Sequence, residues 1–311
     1  MTKPTAQARV IFRRRVSPFV KKFDSTPEGV VCPHFHVLSH ANGCLYNCSY
    51  CYLKHTMRNT LENNKPIPTV FTNISEMKEQ VRKWAAKTPK AMLNAGELSD
   101  SFLDPRYLDM MLKGIVQDKH FESHTMLLVT KGAANVVEVL RNYEPQDNVI
   151  VSFSASPNAA NYENGAPHVA KRLIAAKKIR DMGWRIRLRL DPIIPEDLGG
   201  TPSPMNFMEA CAGVGAERIT LGSLRFAFGW RYDRKLRAAT TESDNCGRYG
   251  KAFKMRLPFQ ERIRLYEDVS AGLRTFGYGG PIGFCKEVVK VYEHFGLNPE
   301  QPVCNCSLFE E

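Results

Sequence analysis

The stretch GCLYNCSYCY, residues 43–52, decides the fold of this 311-residue chain. Its cysteines, Cys44, Cys48 and Cys51, have the spacing C-x3-C-x2-C and follow an apolar run at 34–39 that is typical of a strand. Three thiolates on one short loop can each bind one iron of a [4Fe-4S] cluster, which leaves the fourth iron open to another ligand. The spacing therefore predicts an iron–sulfur site with one open position.

A zinc site is the alternative interpretation of the same cysteines. His55 lies four residues beyond Cys51 and could complete a set of four ligands, and His34, His36 and His40 are also near in sequence. Structural zinc sites usually draw their ligands from two separated pairs. The spacing therefore favours the iron–sulfur site and leaves zinc as an open alternative.

Outside this loop, short apolar runs alternate with amphipathic stretches. This alternation predicts a parallel sheet with helices outside it, either an open sheet or a barrel, with functional groups at the carboxyl ends of the strands. The predicted strands are 34–39, 91–96, 125–130, 148–155, 184–191 and 217–225, and the predicted helices are 74–87, 105–117, 168–182 and 258–275.

The composition indicates a cytoplasmic protein without membrane contact, because no apolar run is long enough for a signal peptide or a membrane span. Nine cysteines in a reducing compartment favour metal binding or catalysis over disulfides. The net charge of +11 is compatible with nucleic acid as a partner and equally with general solubility.

Three regions are predicted along the chain. They are a basic N-terminal arm at 1–30, a core at 31–226, and a region at 227–311 that holds a basic insertion and a cysteine-containing extension. Residues 226–256 lack periodicity, which is typical of a long functional insertion.

The cysteine spacing, with an aromatic residue before the last cysteine, resembles the radical S-adenosylmethionine superfamily. The resemblance implies a partial (β/α)6 TIM-like barrel, here with a C-terminal extension. It also implies a [4Fe-4S] cluster whose open iron binds S-adenosylmethionine. Reductive cleavage would then give a 5′-deoxyadenosyl radical that abstracts a hydrogen atom from substrate, with flavodoxin or ferredoxin as the reducing partner.

Within that superfamily, the sequence resembles the spore photoproduct lyase or DNA repair photolyase-like group. The loop at 43–56, GELSD at 96–100, LLVTK at 127–131, VSFSAS at 151–156 and ITLGSLRF at 219–226 occur in the order of that group. A basic segment at 247–253, GRYGKAF, also resembles the group's DNA-facing hairpin. The resemblance implies nucleic acid or a nucleotide as substrate.

The resemblance also implies roles for individual residues. Gly96 and Glu97 match the position that binds the methionine amino group, where a carboxylate facing an ammonium forms a charge-assisted bond. Ser152 and Ser154 lie where the family contacts the methionine carboxylate or the ribose. Asp191 is expected to contact ribose or substrate.

Two catalytic residues are expected, and one family feature is missing. Tyr52 follows the last cysteine of the loop, where the group has a tyrosine of its radical relay. The group's hydrogen-donating cysteine aligns with 95–100, which holds no cysteine in this chain. Cys246 is the candidate donor in its place, and the departure favours another donor or another substrate.

A second group of cysteines, Cys285, Cys304 and Cys306, lies near the end of the sequence. Three thiols in 22 residues could hold a second iron–sulfur cluster or zinc, with Cys32 or Cys246 as a fourth ligand. Alternatively, the C-x-C pair serves as a redox pair or as the hydrogen donor.

Three functions therefore remain to be compared. The first is a radical S-adenosylmethionine lyase or related enzyme acting on nucleic acid or a nucleotide. The second keeps the same chemistry on a peptide or small metabolite. The third is a non-enzymatic, zinc-stabilised nucleic-acid-binding protein.

Overall fold

The computed structural model describes residues 9–24, 26–198, 206–227, 229–243 and 254–308. The strands are β1 Ile11–Arg13, β2 Val20–Phe23, β3 Phe35–Leu38, β4 Ala41–Asn42, β5 Asn47–Cys48, β6 Leu61–Glu62, β7 Lys65–Pro66, β8 Thr69–Phe71, β9 Met92–Asn94, β10 Thr125–Thr130, β11 Val149–Ser154, β12 Glu163–Asn164, β13 Arg185–Ile193, β14 Arg218–Ser223, β15 Arg225–Ala227, β16 Glu242–Ser243, β17 Lys254–Arg256 and β18 Ile282–Phe284. The helices are α1 Leu53–Thr56, α2 Ile74–Ala85, α3 Pro105–Asp109, α4 Ala134–Leu140, α5 Val169–Asp181, α6 Phe207–Gly213, α7 Arg234–Ala239, α8 Phe259–Thr275 and α9 Val289–His294.

The main sheet has eight strands in the order β18-β14-β13-β11-β10-β9-β3-β2. All neighbours in it are parallel except β2, which pairs antiparallel with β3 at one edge. From β3 to β14, each of six strands is followed by a helix, and β18 then adds a seventh parallel strand. This architecture confirms the predicted partial (β/α)6 barrel.

The central strands are uniformly buried, as strands covered on both faces should be. Every residue of β10 and β11 is buried, and their sequences, TMLLVT and VIVSFS, read as continuous apolar runs with small polar residues near the end. The main core joins this sheet to the surrounding helices. The strands are therefore held rigidly, and the loops at their carboxyl ends start from fixed positions.

The predicted helix at 105–117 changes its winding halfway along. Asp104 caps α3 by accepting a hydrogen bond from the backbone N–H of Arg106 at 2.9 Å. The helix then widens into a π-helix over Met110–Ile115. Gly114 lies within the widened part, where glycine has a low helix propensity.

Asn73 and Glu76 have the spacing of a capping box at the start of α2, but this capping box does not form. The side chain of Asn73 exchanges hydrogen bonds with the backbone of Arg15, at 2.9 and 3.0 Å, and makes no capping bond to its own helix. Its amide also donates to Glu76 at 2.8 Å. The backbone of Arg15 therefore takes the place of the helix backbone as the partner of Asn73. This contact ties the N-terminal segment to α2.

The described residues of the N-terminal arm are not loose. Strand β1 pairs with β8, and β2 extends the main sheet. Phe19 is fully buried, and the guanidinium of Arg15 stacks over the rings of Phe19 and Phe71. Burial of these apolar groups fixes the described part of the basic arm to the rest of the protein.

The region at 226–256 contains more structure than its lack of periodicity predicted. Strands β15, β17 and β16 form a small antiparallel sheet, and α7 precedes β16. Phe226, Trp230 and Leu236 pack with Leu224 and Ile194 in a separate apolar cluster above the main sheet. Part of the basic stretch, residues 244–253, lies outside the described residues.

A segment at 303–308 closes the lower end of the barrel. Arg187 donates to the carbonyl of Asn305 at 2.5 Å, and Arg218 donates to the carbonyl of Cys304 at 2.6 Å. Apolar side chains from β9, β10 and β11 pack against the same segment. We call residues 303–308 the barrel floor.

In the described residues, no helix has the length and apolar character of a membrane span.

Gly283 in β18 leaves room for the barrel floor. An added Cβ would lie 1.5 Å from the carbonyl oxygen of Val303. We expect Gly283→Ala to displace the floor and lower the free energy of unfolding by about 3 kcal/mol, as overpacking does. Urea denaturation would measure the change. Gly279→Ala is the matched control, since nothing lies within 4 Å of its added Cβ, and an equal loss in both variants would contradict the expectation.

Candidate functional site

A cavity of about 240 Å³ opens at the carboxyl ends of the main-sheet strands. The ends of β10, β11 and β13 and the segments after β3, β9, β10, β14 and β18 contribute to its wall, as expected for a parallel α/β sheet. The predicted site residues that line it are Cys44, Cys48, Cys51, Tyr52, Gly96, Glu97, Ser154, Asp191, Cys285, Cys304 and Cys306. Residues distant in sequence are thus brought to one place.

The cysteine loop is held by backbone constraints at both ends. Gly43 has a φ of +79°, and a Cβ there would lie 2.6 Å from the carbonyl oxygen of Ile67. Strand β5 pairs antiparallel with β12, so that Cys48 lies opposite Glu163. The N–H of Ser49 donates to the carbonyl of Tyr162 at 2.7 Å. The loop is therefore anchored to the connection that follows β11.

Glu163 supplies the electrostatic part of this anchor. Its buried carboxylate accepts hydrogen bonds from Lys131 at 2.7 Å, from Arg172 and from the hydroxyl of Tyr50. Burial opposes ionisation, but the charges of Lys131 and Arg172 outweigh it and lower the pKa of Glu163 to about 2. Lys131 also donates to Ser154 at 2.6 Å. A single carboxylate thus joins the cysteine loop, β10, β11 and α5.

The three thiols of the loop are held in a setting that favours their neutral form. Burial raises the pKa of Cys44 and Cys51, and raises that of Cys48 to about 12. The nearby carboxylate of Asp100 raises the pKa of Cys44 further. A thiol binds metal as the thiolate, so such a site requires a strong positive charge to ionise it. Iron would supply that charge, and the donor set fits a [4Fe-4S] cluster.

The geometry differs from that of a site for one metal ion. Among the described residues, no three His, Cys, Asp or Glu side chains surround one point closely enough to hold an ion. The thiolates of a cubane instead bind separate irons, so they need not converge on one point. His55, the fourth ligand of the zinc interpretation, lies on α1 and is not among the residues of the cavity wall.

Gly96 and Glu97 form the part of the cavity wall beside the cysteine loop, where the N–H of Gly43 donates to the carbonyl of Leu98 at 2.9 Å. A Cβ on Gly96 would lie 2.3 Å from Cβ of Val129, so only glycine allows this close approach. The N–H of Gly96 donates to the side chain of Asn94 at 2.8 Å. The carboxylate of Glu97 lies 3.8 Å from the ammonium of Lys286. An acidic group is thereby presented to the cavity with only a distant cationic partner.

Tyr52 connects the cysteine loop to this acidic segment. Its hydroxyl donates to the backbone carbonyl of Glu97, while 43% of its surface stays exposed. The tyrosine therefore lies at the cavity mouth and bridges two walls. That position is compatible with either the relay role or a structural one.

The structure separates the two serines of β11. Ser154 lines the cavity and contacts Lys131, as described above. Ser152 is fully buried and donates to the side chain of Asn305 at 2.8 Å, which places it against the barrel floor. Both side chains point into the barrel, because residues two apart share a face of a strand. They lie at different depths, so Ser152 is not brought to the cavity.

Asp191 is engaged by two arginines. Arg225 makes a bidentate pair with its carboxylate, with both bonds at 2.9 Å, and Arg189 adds a bond at 2.8 Å. Burial is outweighed by these charges, and the pKa of Asp191 is held well below its usual range. Its oxygens are thus already paired, which makes it a residue that orients the two arginines.

The second cysteine group reaches the cavity from two directions. Cys285 follows β18 and accepts a hydrogen bond from Arg225 at 3.2 Å, whereas Cys304 and Cys306 rise from the barrel floor. The amide of Asn94 donates to the sulfur of Cys306 at 3.7 Å. The thiols therefore share one cavity wall, and a metal between them stays a prediction. Cys246, the predicted donor, lies outside the described residues.

The sequence predicted no role for the residues that hold this site in place, although Lys131 and Arg225 are polar residues at the ends of predicted strands. Lys131, Glu163, Arg172, Arg189 and Arg225 form its buried ion pairs. Three of them are strand or strand-end cations in apolar surroundings, which is an unusual position for a charge. That pattern was the one signal available, because the partners are distant in sequence.

Comparison with known proteins identifies relatives of the chain. A family model described as spore photoproduct lyase matches residues 31–199. Spore photoproduct lyase of Bacillus subtilis (strain 168) is 25% identical over 178 residues, which cover 55% of this chain and 48% of that protein. The chain thus matches only about half the length of this curated relative.

Two solved structures are similar in fold to this chain. Spore photoproduct lyase complexed with dinucleoside spore photoproduct has a TM-score of 0.67 and 18% identity, covering 89% of this chain and 82% of that one. A double mutant of spore photoproduct lyase with bound AdoMet and dinucleoside spore photoproduct has a TM-score of 0.63 and 17% identity, covering 88% and 81%.

The family model spans more than half of the chain, including the cysteine loop and the walls formed after β9, β10, β11 and β13. The shared fold extends beyond that span. The chain belongs to the spore photoproduct lyase family.

Proposed function

We propose that this protein is a radical S-adenosylmethionine enzyme with one [4Fe-4S] cluster on Cys44, Cys48 and Cys51. One observation carries the proposal: the three thiols open into the same cavity as Gly96 and Glu97, at the carboxyl ends of the barrel strands. An iron–sulfur cluster requires thiols as ligands, and the methionine ammonium of S-adenosylmethionine requires a carboxylate partner. The cavity offers both groups. Family membership supports the same conclusion.

The cofactors would supply the difficult chemistry, which is reductive cleavage of a sulfonium followed by hydrogen-atom abstraction from substrate. Glu97 would hold the methionine ammonium, and Ser154 would donate to the methionine carboxylate or the ribose. The reductant is proposed to be a flavodoxin or ferredoxin, and the predicted cytoplasmic location is retained. The region boundaries near 30 and 226 are likewise retained as proposals.

The chain's own residues position these groups and limit the access of water. Glu163 with Lys131 and Arg172 fixes the cysteine loop against the sheet, so the thiols cannot drift from the cavity. Asp191 keeps the guanidiniums of Arg189 and Arg225 on the opposite side. Radical chemistry needs such a closed, pre-organised site because reactive species are lost to side reactions in open solvent.

Nucleic acid or a nucleotide is the proposed substrate. The relative from Bacillus subtilis is named a spore photoproduct lyase, and a solved neighbour is complexed with dinucleoside spore photoproduct. The net charge of +11 also favours a polyanion. A different substrate, such as a peptide or small metabolite, is the second candidate, because segment 95–100 lacks the cysteine that donates hydrogen in the lyases.

Cys48→Ala should abolish cluster binding and S-adenosylmethionine cleavage together, because the remaining two thiols cannot hold three irons. Iron and acid-labile sulfide would be measured after anaerobic reconstitution, and 5′-deoxyadenosine after reduction. Cys211→Ala is the matched control, since Cys211 is buried in α6 and is not among the residues of the cavity wall. Cleavage retained by Cys48→Ala would disprove the cluster assignment, and bound zinc in the wild type would favour the zinc-stabilised alternative.

Glu97→Ala should weaken S-adenosylmethionine binding roughly tenfold or more, the usual effect of losing a charge-assisted hydrogen bond. The iron content should stay unchanged, because Glu97 is not a cluster ligand. Equilibrium binding to the reconstituted protein would measure the effect. Glu138→Ala, on the exposed face of α4, is the control. Equal affinity in the two variants would remove Glu97 from the cofactor site.

A further inference from the structure

The cavity wall carries more positive than negative side chains. Its carboxylates come from the segments after β9 and near the end of β13, whereas its cations come from five separate positions. The carboxylate residues are Glu97, Asp100 and Asp191, and the cationic residues are Lys131, Arg189, Arg225, Lys254 and Lys286. An uncompensated charge in a shielded cavity is costly unless a ligand neutralises it.

Most of these cations have an assigned partner. The two arginines share Asp191, and Lys131 is paired with Glu163 at 2.7 Å. Lys286 lies 3.8 Å from Glu97, its one carboxylate partner in the described ranges, and its ammonium is 4.0 Å from the centre of the Phe23 ring. Within the described ranges, no carboxylate lies within ion-pair distance of Lys254. Within the part of the chain that the structure describes, the positive charge without a close carboxylate partner therefore lies on Lys254 and Lys286.

The small antiparallel sheet directs Lys254 toward these other cations. Lys254 and Arg256 are two residues apart on β17, so their side chains share a face. Arg256 lies opposite Arg225 of β15, which extends that face across the sheet. Arg256 also donates to the backbone carbonyl of Lys286 at 2.6 Å, which holds the segment after β18 beside β17. The backbone thus brings two lysines to one side of the cavity mouth.

The pKa of Lys254 is lowered, as expected for a lysine that is buried beside other cations. Burial lowers the pKa of Lys254 to about 7, and the charges of Lys286 and Arg225 add to the effect. A cation held in such a place destabilises the ligand-free protein. Its position on the wall of the proposed active site indicates that a bound anion offsets this cost.

We propose that Lys254 and Lys286 form an anion subsite at the cavity mouth, which binds a phosphate group of the substrate. This inference rests on the proposed function, because it assigns a chemical group to the substrate of that same cavity. Ammonium groups on flexible stems act as point charges and are well suited to phosphate oxygens. A phosphodiester of a nucleic acid and the phosphate of a free nucleotide share this chemistry.

Binding of the dinucleotide TpT and of its uncharged methylphosphonate analogue would test the subsite by calorimetry on the reconstituted full chain. In the analogue, a methyl group replaces the charged oxygen of the linking phosphate, which removes its negative charge. We expect TpT to bind more tightly, and Lys254→Met to remove the difference by weakening TpT at least tenfold. Lys254→Arg should retain most of the affinity. Lys177→Met, on the exposed face of α5, should leave it unchanged.

The melting temperature of the ligand-free protein gives a second readout. Lys254→Met should raise it, because the substitution puts an apolar side chain of similar length in place of a shielded charge that has no carboxylate partner among the described residues. A residue with a merely structural role would show the opposite change. Weaker TpT binding together with a higher melting temperature would support the subsite. A lower melting temperature with unchanged binding would overturn it.

Additional measurements identify the source of the phosphate. They also distinguish failure of the anion subsite from failure of the proposed function. Inorganic phosphate binding as tightly as TpT, and lost in Lys254→Met, would support the subsite and indicate a free nucleotide. Displacement of TpT by S-adenosylmethionine, or no binding of any phosphate probe, would overturn the subsite. Release of 5′-deoxyadenosine by the same preparation would show in each case that the cofactor assignment stands independently.

Discussion

The buried carboxylate of Glu163 is the constraint on which the site depends. It gathers an ammonium, a guanidinium and a phenol from three different elements, and its own strand pairs with the strand of Cys48. Removing one partner from such a buried network typically costs about 3–5 kcal/mol, since the remaining charge is left unpaired. The loop that carries the cysteines has little regular structure of its own. Its position is therefore determined by this ion pair and by the β5–β12 pairing.

The same principle shapes the opposite wall of the cavity. Asp191 holds Arg189 and Arg225 in fixed directions, and Arg225 in turn contacts the sulfur of Cys285. Charges that would be unfavourable alone become tolerable when paired, and a paired guanidinium is more rigid than a free one. The cavity is thus bounded by two buried ion-pair groups, one behind the cysteine loop and one facing it. Among the described residues, most charged groups around the cavity have a close partner of opposite charge, whereas Lys254 and Lys286 do not.

Local patterns in the sequence predicted much of the fold. Strand β10 runs from Thr125 to Thr130, as predicted, because a buried parallel strand is a continuous apolar run. The cysteine spacing and the carboxyl-end rule were enough to place Cys44 and Glu97 in one site. What was missed depends on distant partners: nothing near Ser152 indicates that Asn305 lies beside it. The short strands β15 and β17 were missed because their pairing crosses a long connection, and three-residue strands carry no periodicity.

The barrel floor has a consequence for how the molecule folds. The walls are made from consecutive strand–helix units, whereas the floor depends on contacts such as those of Arg187 with Asn305 and Asn94 with Cys306, separated by 118 and 212 residues. Contacts that close such long loops are entropically slow to form. A partly folded chain would therefore have complete walls and an open base, with Met92, Leu127 and Ile150 exposed. Exposed apolar surface of this kind favours aggregation, so closure of the floor would also protect the chain from aggregation.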